Sequence, residues 1–124
     1  MSRKEDAIEF GLPYNIQECS SKLRAIAREL KAQIGPLERN NDGLMEESSD
    51  IAVFMEGKNF LGSFGSGKYW MVHIYVDNKE NGCQVVLNAV GDSTLSRLAV
   101  GGKNAYSFKH ALEKRDQIAQ MLNS

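Results

Sequence analysis

Gly62-Ser63-Phe64-Gly65-Ser66-Gly67-Lys68 satisfies the G-x-x-x-x-G-K frame of a phosphate-binding loop. Such a loop works because backbone N–H groups cradle phosphates at the start of a helix, while a Ser or Thr after the Lys binds Mg²⁺. Here Tyr69 follows the Lys and the downstream pattern is that of a strand. The stretch therefore reads as a glycine-rich connector. A kinase glycine loop is excluded too, because no H-R-D or D-F-G element follows. His73 and His110 are the only histidines. Neither has Cys, His or carboxylate neighbours at ligand spacing, so no metal and no cofactor are expected. His73, or Glu56 across a pocket, could serve as an acid or base, but with no partner to name a hydrogen-bonded or surface histidine is preferred. Cys83 lies on an apolar strand face with no cation near it to lower its pKa. No catalytic residue is assigned, and the chain is expected not to be an enzyme. A cyclase or hydrolase using His73 or a carboxylate as base is the least favoured alternative.

Lys22, Arg24, Arg28 and Lys31 make the outward side of the first helical stretch basic, with Glu18 and Glu29 interleaved. That mixture is a solvated face, and a net charge of −1 gives no reason to expect nucleic acid. Cys19 and Cys83 both fall on apolar faces and are expected as buried, reduced thiols. No apolar run is long enough to span a membrane. Met1-Ser2-Arg3-Lys4-Glu5-Asp6 leads into no apolar leader core, so a cytoplasmic location is the expectation. At 124 residues, 42% apolar and 25% charged, residues 1–124 are expected to form a single domain with its own core.

The elements that must position these residues centre on Lys68–Gly91. In Tyr69–Asp77 one parity is Trp70, Val72, Ile74 and Val76; the other is Tyr69, Met71, His73, Tyr75 and Asp77. In the return strand Cys83, Val85, Leu87 and Ala89 share a face. This alternation predicts an antiparallel hairpin with one face on a core, closed by the polar loop Asn78–Gly82. Ala7–Leu12 is a short first strand. Asn15, with Glu18 three residues on, caps a helix whose apolar stripe predicts Ile16–Ile34, stopped by Gly35-Pro36. Leu37–Leu44 reads as an irregular strand, Asp50–Glu56 as a strand, Gly57–Gly67 as a glycine-dense loop and Asp92–Gly102 as a short edge strand. Asn104 or Ser107 then caps a second helix, buried through Phe108, Ala111, Leu112, Ile118, Ala119 and Leu122. The order strand, helix, strands, helix predicts an α+β fold: a curved antiparallel sheet with two helices on one face.

PYNIQECSSKLRAIARELKAQIG, DIAVFMEGKNFLGSFGSGKYWMVHIYV, NGCQVVLNAVGD and LSRLAVGGKNAYSFKHALEKRDQI together resemble small bacterial members of the helix-grip superfamily. These are relatives of START lipid-transfer domains, pollen-allergen-like proteins and polyketide cyclases. The resemblance rests on a Pro/Tyr-led first helix, a Gly-centred segment leading into a hairpin, and the G-K-N step at Gly102-Lys103-Asn104. It implies a hydrophobic-ligand site between the long helix and the sheet, with no universal catalytic residues. On that reading a small apolar or amphipathic ligand would be walled by Phe54, Phe60, Phe64, Trp70, Val72, Ile74, Leu87 and Phe108, with the Gly57–Gly67 segment as gate. A chain this short is expected to fill most of that space with Trp70, Phe108 and Leu112, or to keep it occupied. The second reading is an interaction module, or a homodimer, using Tyr69, Met71, His73 and Tyr75 on the outer sheet face. Its counter-expectation is that the loop of Phe60 and Phe64 covers those four residues within the same chain.

Overall fold

The computed structural model describes residues 3–37, 49–59, 68–92 and 106–124. Five strands, β1 (Arg3–Leu12), β2 (Gln33–Pro36), β3 (Ile51–Asn59), β4 (Lys68–Lys79) and β5 (Gly82–Asp92), form one sheet. Its order is β1-β5-β4-β3-β2, antiparallel throughout and curved, as the alternation predicted. Helices α1 (Ile16–Glu29) and α2 (Phe108–Leu122) complete the α+β fold.

Both helices lie on the Trp70 face. Trp70, Val72, Ile74 and Val76 of β4 are 0–1% exposed, and Cys83, Val85, Leu87 and Ala89 of β5 are 0–2% exposed. The register sets Ile8, Phe10 and Leu12 of β1 opposite Leu87, Val85 and Cys83, on that same face. Against this layer pack Cys19, Leu23 and Ile26 from α1 and Ile118 and Leu122 from α2. α2 covers β5, β4 and β1; α1 covers β2, β4 and β5 and touches α2. The Tyr14 hydroxyl donates to the Leu122 carbonyl at 2.6 Å, tying the approach to α1 to the end of α2.

Glycine permits two close approaches here. A Cβ on Gly91 would lie 2.6 Å from both the N and the Cα of Phe108, so the first turn of α2 rests on bare backbone. One on Gly57 would lie 2.7 Å from the Trp70 ring, which covers β3 at that point. Arg115 lies on the buried side of α2, where the apolar stripe had no place for it. It is 8% exposed, donates through Nη1 to the Asp6 carbonyl at 3.0 Å, and through Nε and Nη2 to Asp116 Oδ1 at 3.0 and 2.9 Å. A guanidinium is tolerated there because its stem covers apolar surface while its head reaches partners at the edge.

Four sequence expectations need correction. First, α1 ends at Glu29, not Ile34. Ala32 N–H donates to the Ala27 carbonyl and Lys31 N–H to the Arg28 carbonyl, with Lys31 at φ 56°: a Schellman stop with Lys in the left-handed position that Gly usually takes. Gln33–Pro36 then forms β2, whose residues sit opposite Glu56 to Val53. Second, β1 begins at Arg3 rather than Ala7, because the full length of β5 is there to pair with it. Third, Gly57 lies inside β3, opposite Trp70. Fourth, the hairpin loop is only Glu80-Asn81, since Lys79 already pairs with Gly82, which takes φ 148°. Among the described residues only Lys31 has positive φ without being Gly, so Glu80 and Asn81 make a turn of ordinary hand and Gly82 absorbs the twist. The strands expected at Leu37–Leu44 and Asp92–Gly102 lie, past Leu37 and Asp92, outside the described residues.

Candidate functional site

The early stop of α1 leaves an apolar recess beside it. α2 roofs the β1 side of the core face, and α1 lies over its middle. Toward the other edge the roof runs out: Met55 is fully buried, but Ile51, Val53 and Ile34 of the same layer are only half-buried. Ser20, Leu23 and Arg24, spaced i, i+3 and i+4, form the helix wall of the resulting groove. Its floor and far wall are Ile34, Gly35, Pro36, Ile51 and Val53, and its volume is about 240 Å³. Leu37 N–H donates to the Ala52 carbonyl at 3.0 Å, which puts Pro36 at a position whose N–H would face away from β3. The proline therefore costs the ladder nothing and blunts the edge at the lip of the groove.

Arg24 is exposed at this rim, and no carboxylate among the described residues pairs with it; the ion pairs among those residues join Arg115 to Asp6 and Asp116, at the β1 edge. Thus the groove is apolar inside with one cation and one hydroxyl at its mouth. It can hold an apolar body and present donors to a polar end. Among the described residues that line it there is no histidine, cysteine or carboxylate.

The expected ligand walls that are described do not all share one face. Trp70, Val72, Ile74 and Leu87 share the core face, but they are packed against the helices at 0–1% exposure. Phe54 sits opposite His73 on the other face, its ring lying over Gly35 where a Cβ would come within 2.8 Å. Parity explains this: Met55, not Phe54, shares the side of Val72. Phe108 is half-buried at the start of α2, against Gly91. Phe60 and Phe64 lie outside the described residues, as do Gly62–Gly67 of the phosphate-loop frame; Lys68 opens a strand.

Tyr69, Met71, His73 and Tyr75 do share the face away from the helices. However, His73 is 4% and Tyr75 2% exposed, while Tyr69 and Met71 are half-buried, so the patch is largely covered by the chain itself. His73 lies between Phe54 and Asn88. Asn88 Nδ2 donates to Glu5 Oε1 at 3.3 Å, and its buried Oδ1 has no hydrogen-bond partner among the described residues. At the end of this face the Tyr106 hydroxyl donates to Glu56 Oε2 at 2.7 Å, and the Tyr106 ring meets Tyr69 edge-on at 6.2 Å. Glu56 is thereby engaged as a structural acceptor. His110 Nδ1 lies 2.7 Å from Ser107 Oγ, the cap of α2. Among the described residues no three His, Cys, Asp or Glu side chains gather as metal ligands.

Cys19 and Cys83 are buried and free. Burial pushes the Cys19 thiol up to about 12, and Cys83 is raised by burial as well. Burial also pushes the Tyr14 phenol up to about 12. These groups stay neutral and unreactive at ordinary pH, the opposite of what a nucleophile needs.

Sequence reasoning missed the groove residues because it assigned Ile34, Gly35 and Pro36 to the end of a helix. The usable signal was Gln33–Leu37 itself, where polar Gln33 and apolar Ile34 precede a Gly-Pro pair suited to an edge strand. No helix among the described residues is long and apolar enough to cross a membrane. Compared with protein-family models, with curated proteins and with solved structures, the chain matches none.

Proposed function

We propose that the protein is a non-enzymatic binding module that takes the apolar part of a small ligand into the groove between α1 and the β2–β3 edge. One observation carries this reading: Ile34, Ile51 and Val53, a half-buried stretch of the core layer, line a recess of about 240 Å³. At about 30 Å³ per water the recess equals roughly eight waters, enough for a short chain or one ring. Ligand sites run from about 300 Å³ upward, so part of the ligand would stay outside. The pairing of the first strand with the last, with a C-terminal helix across the meander, is the feature that supports a helix-grip relationship. That relationship would put a ligand under α2; the filled packing there favours the α1 side instead. Self-association through the outer face is less favoured, because His73 and Tyr75 are buried within one chain.

The test is titration of isotope-labelled protein with 1-octanol. Amide and methyl shifts are expected to move at Leu23, Ile34 and Val53, and Val53→Trp, which fills the recess, is expected to abolish them. Shifts confined to other residues, or unchanged in the Val53→Trp variant, would sink the proposal.

A further inference from the structure

The polar rim of this groove says what the other end of the ligand should be. We infer that the groove selects a short-chain carboxylate, its hydrocarbon on Leu23, Ile34 and Val53 and its carboxylate held by Arg24 with help from Ser20. This rests on the groove reading above.

Ser20 and Arg24 are one helical turn apart and both line the recess, so their side chains are neighbours on its wall. Both present donors: a hydroxyl and a guanidinium fork, whose planar geometry matches a carboxylate bidentately. Arg24 has no carboxylate partner among the described residues, and Arg28, one turn further along, keeps that edge of the helix positive. Among the described residues, Asp50 and Asp77 at the ends of β3 and β4 are engaged with backbone: Asp50 Oδ2 accepts from Asn78 N–H at 2.7 Å, and Asp77 Oδ1 from Asp50 N–H at 3.2 Å. A cation beside an apolar recess complements an anionic head on an apolar tail. A recess of about 240 Å³, the volume of roughly eight waters, suits a short tail.

The experiment compares sodium octanoate, 1-octanol and octyl phosphate on wild-type protein and on Arg24→Gln, by the same shift titration below the micelle-forming concentration. Octanoate is expected to bind about tenfold more tightly than octanol, and Arg24→Gln to bring the ratio of the two affinities to about one. Octyl phosphate, whose head the fork can also pair with bidentately but which is larger and more strongly hydrated than a carboxylate, is expected to bind less tightly than octanoate at this single exposed arginine. If octanol and octanoate bind alike and Arg24→Gln changes neither, the carboxylate inference is overturned while the groove reading survives. If octyl phosphate outranks octanoate in an Arg24-dependent way, the head group is a phosphate and the inference is overturned in that form. Should no probe move Leu23, Ile34 or Val53, both fail together.

Discussion

Lys31→Gly should make this protein more stable. Lys31 has φ 56° and follows the C-cap Leu30, so a β-carbon occupies the left-handed region. For an L-residue that conformation costs about 1–2 kcal/mol. Glycine takes it freely but loses more backbone freedom on folding, which gives back about 0.5–1 kcal/mol. The side chain is exposed, and the hydrogen bonds of the stop run from backbone to backbone, so neither packing nor pairing is lost. The net gain is about 0.5–1 kcal/mol. Unfolding entropy near 2.1 cal/mol/K per residue over 124 residues is about 260 cal/mol/K, so Tm should rise by about 2–4 °C. Far-UV circular dichroism with thermal and urea unfolding measures this. Lys31→Ala keeps the β-carbon and should leave Tm within about 1 °C, whereas Lys31→Val, branched at that carbon, should lower it. If the glycine variant is no more stable than the alanine one, α1 does not stop as described, and the edge strand that bounds the groove loses its origin.

Gly91→Ala should destabilise by about 1–3 kcal/mol, because the new carbon meets the backbone of Phe108 and α2 must shift. Gly11→Ala, whose nearest neighbour would be Gln84 Oε1 at 3.4 Å, is the matched control and should be tolerated in urea titrations. Raising the pH should weaken the fold in the alkaline range. The Cys19 thiol titrates near 9 when unfolded and near 12 when folded, and the Tyr14 phenol near 10 and near 12, so the unfolded chain loses these protons first. The stability they contribute is whole below pH 9 and is lost progressively toward pH 12. A urea midpoint that stays flat from pH 8 to 11 would contradict their burial, as would rapid reaction of either native thiol with a disulfide reagent at pH 8.

The sheet and the face it buries were legible because strand periodicity is an unambiguous signal once β-branched and aromatic residues carry it. Trp70, Val72, Ile74 and Val76 alternate so cleanly that a slip of one residue would turn all four away from the helices. Both helices were legible from stripe and cap, and Asn15 Oδ1 does accept from Glu18 N–H at 2.8 Å. The helix end was not, since Ile34 happens to continue the apolar stripe of Leu30, and nothing in the residue type of Lys31 announces a left-handed turn. Arg115 was illegible for a related reason. A charged residue on a buried stripe is accommodated by a distant partner, here the Asp6 carbonyl, and sequence spacing holds no record of it. Phe54 was grouped with Trp70 by chemistry, although the register of β3 against β4 sets it on the opposite face.

That last error bears on where a ligand belongs. An apolar void left between sheet and α2 would cost about 24 cal/mol per Å³, or on the order of 7 kcal/mol for roughly 300 Å³. Domain stability is itself only about 5–15 kcal/mol. A domain of 124 residues has no reserve for such a void, and Trp70, Met55, Ile74 and Leu87, each at most 1% exposed, close that space. A recess at the rim, open to water, removes no packing from the interior and so carries no comparable penalty. The four-residue β2, ending at a proline, leaves that recess where the sheet runs past the end of α1. In a fold this small, the room for a ligand is set by where a helix stops.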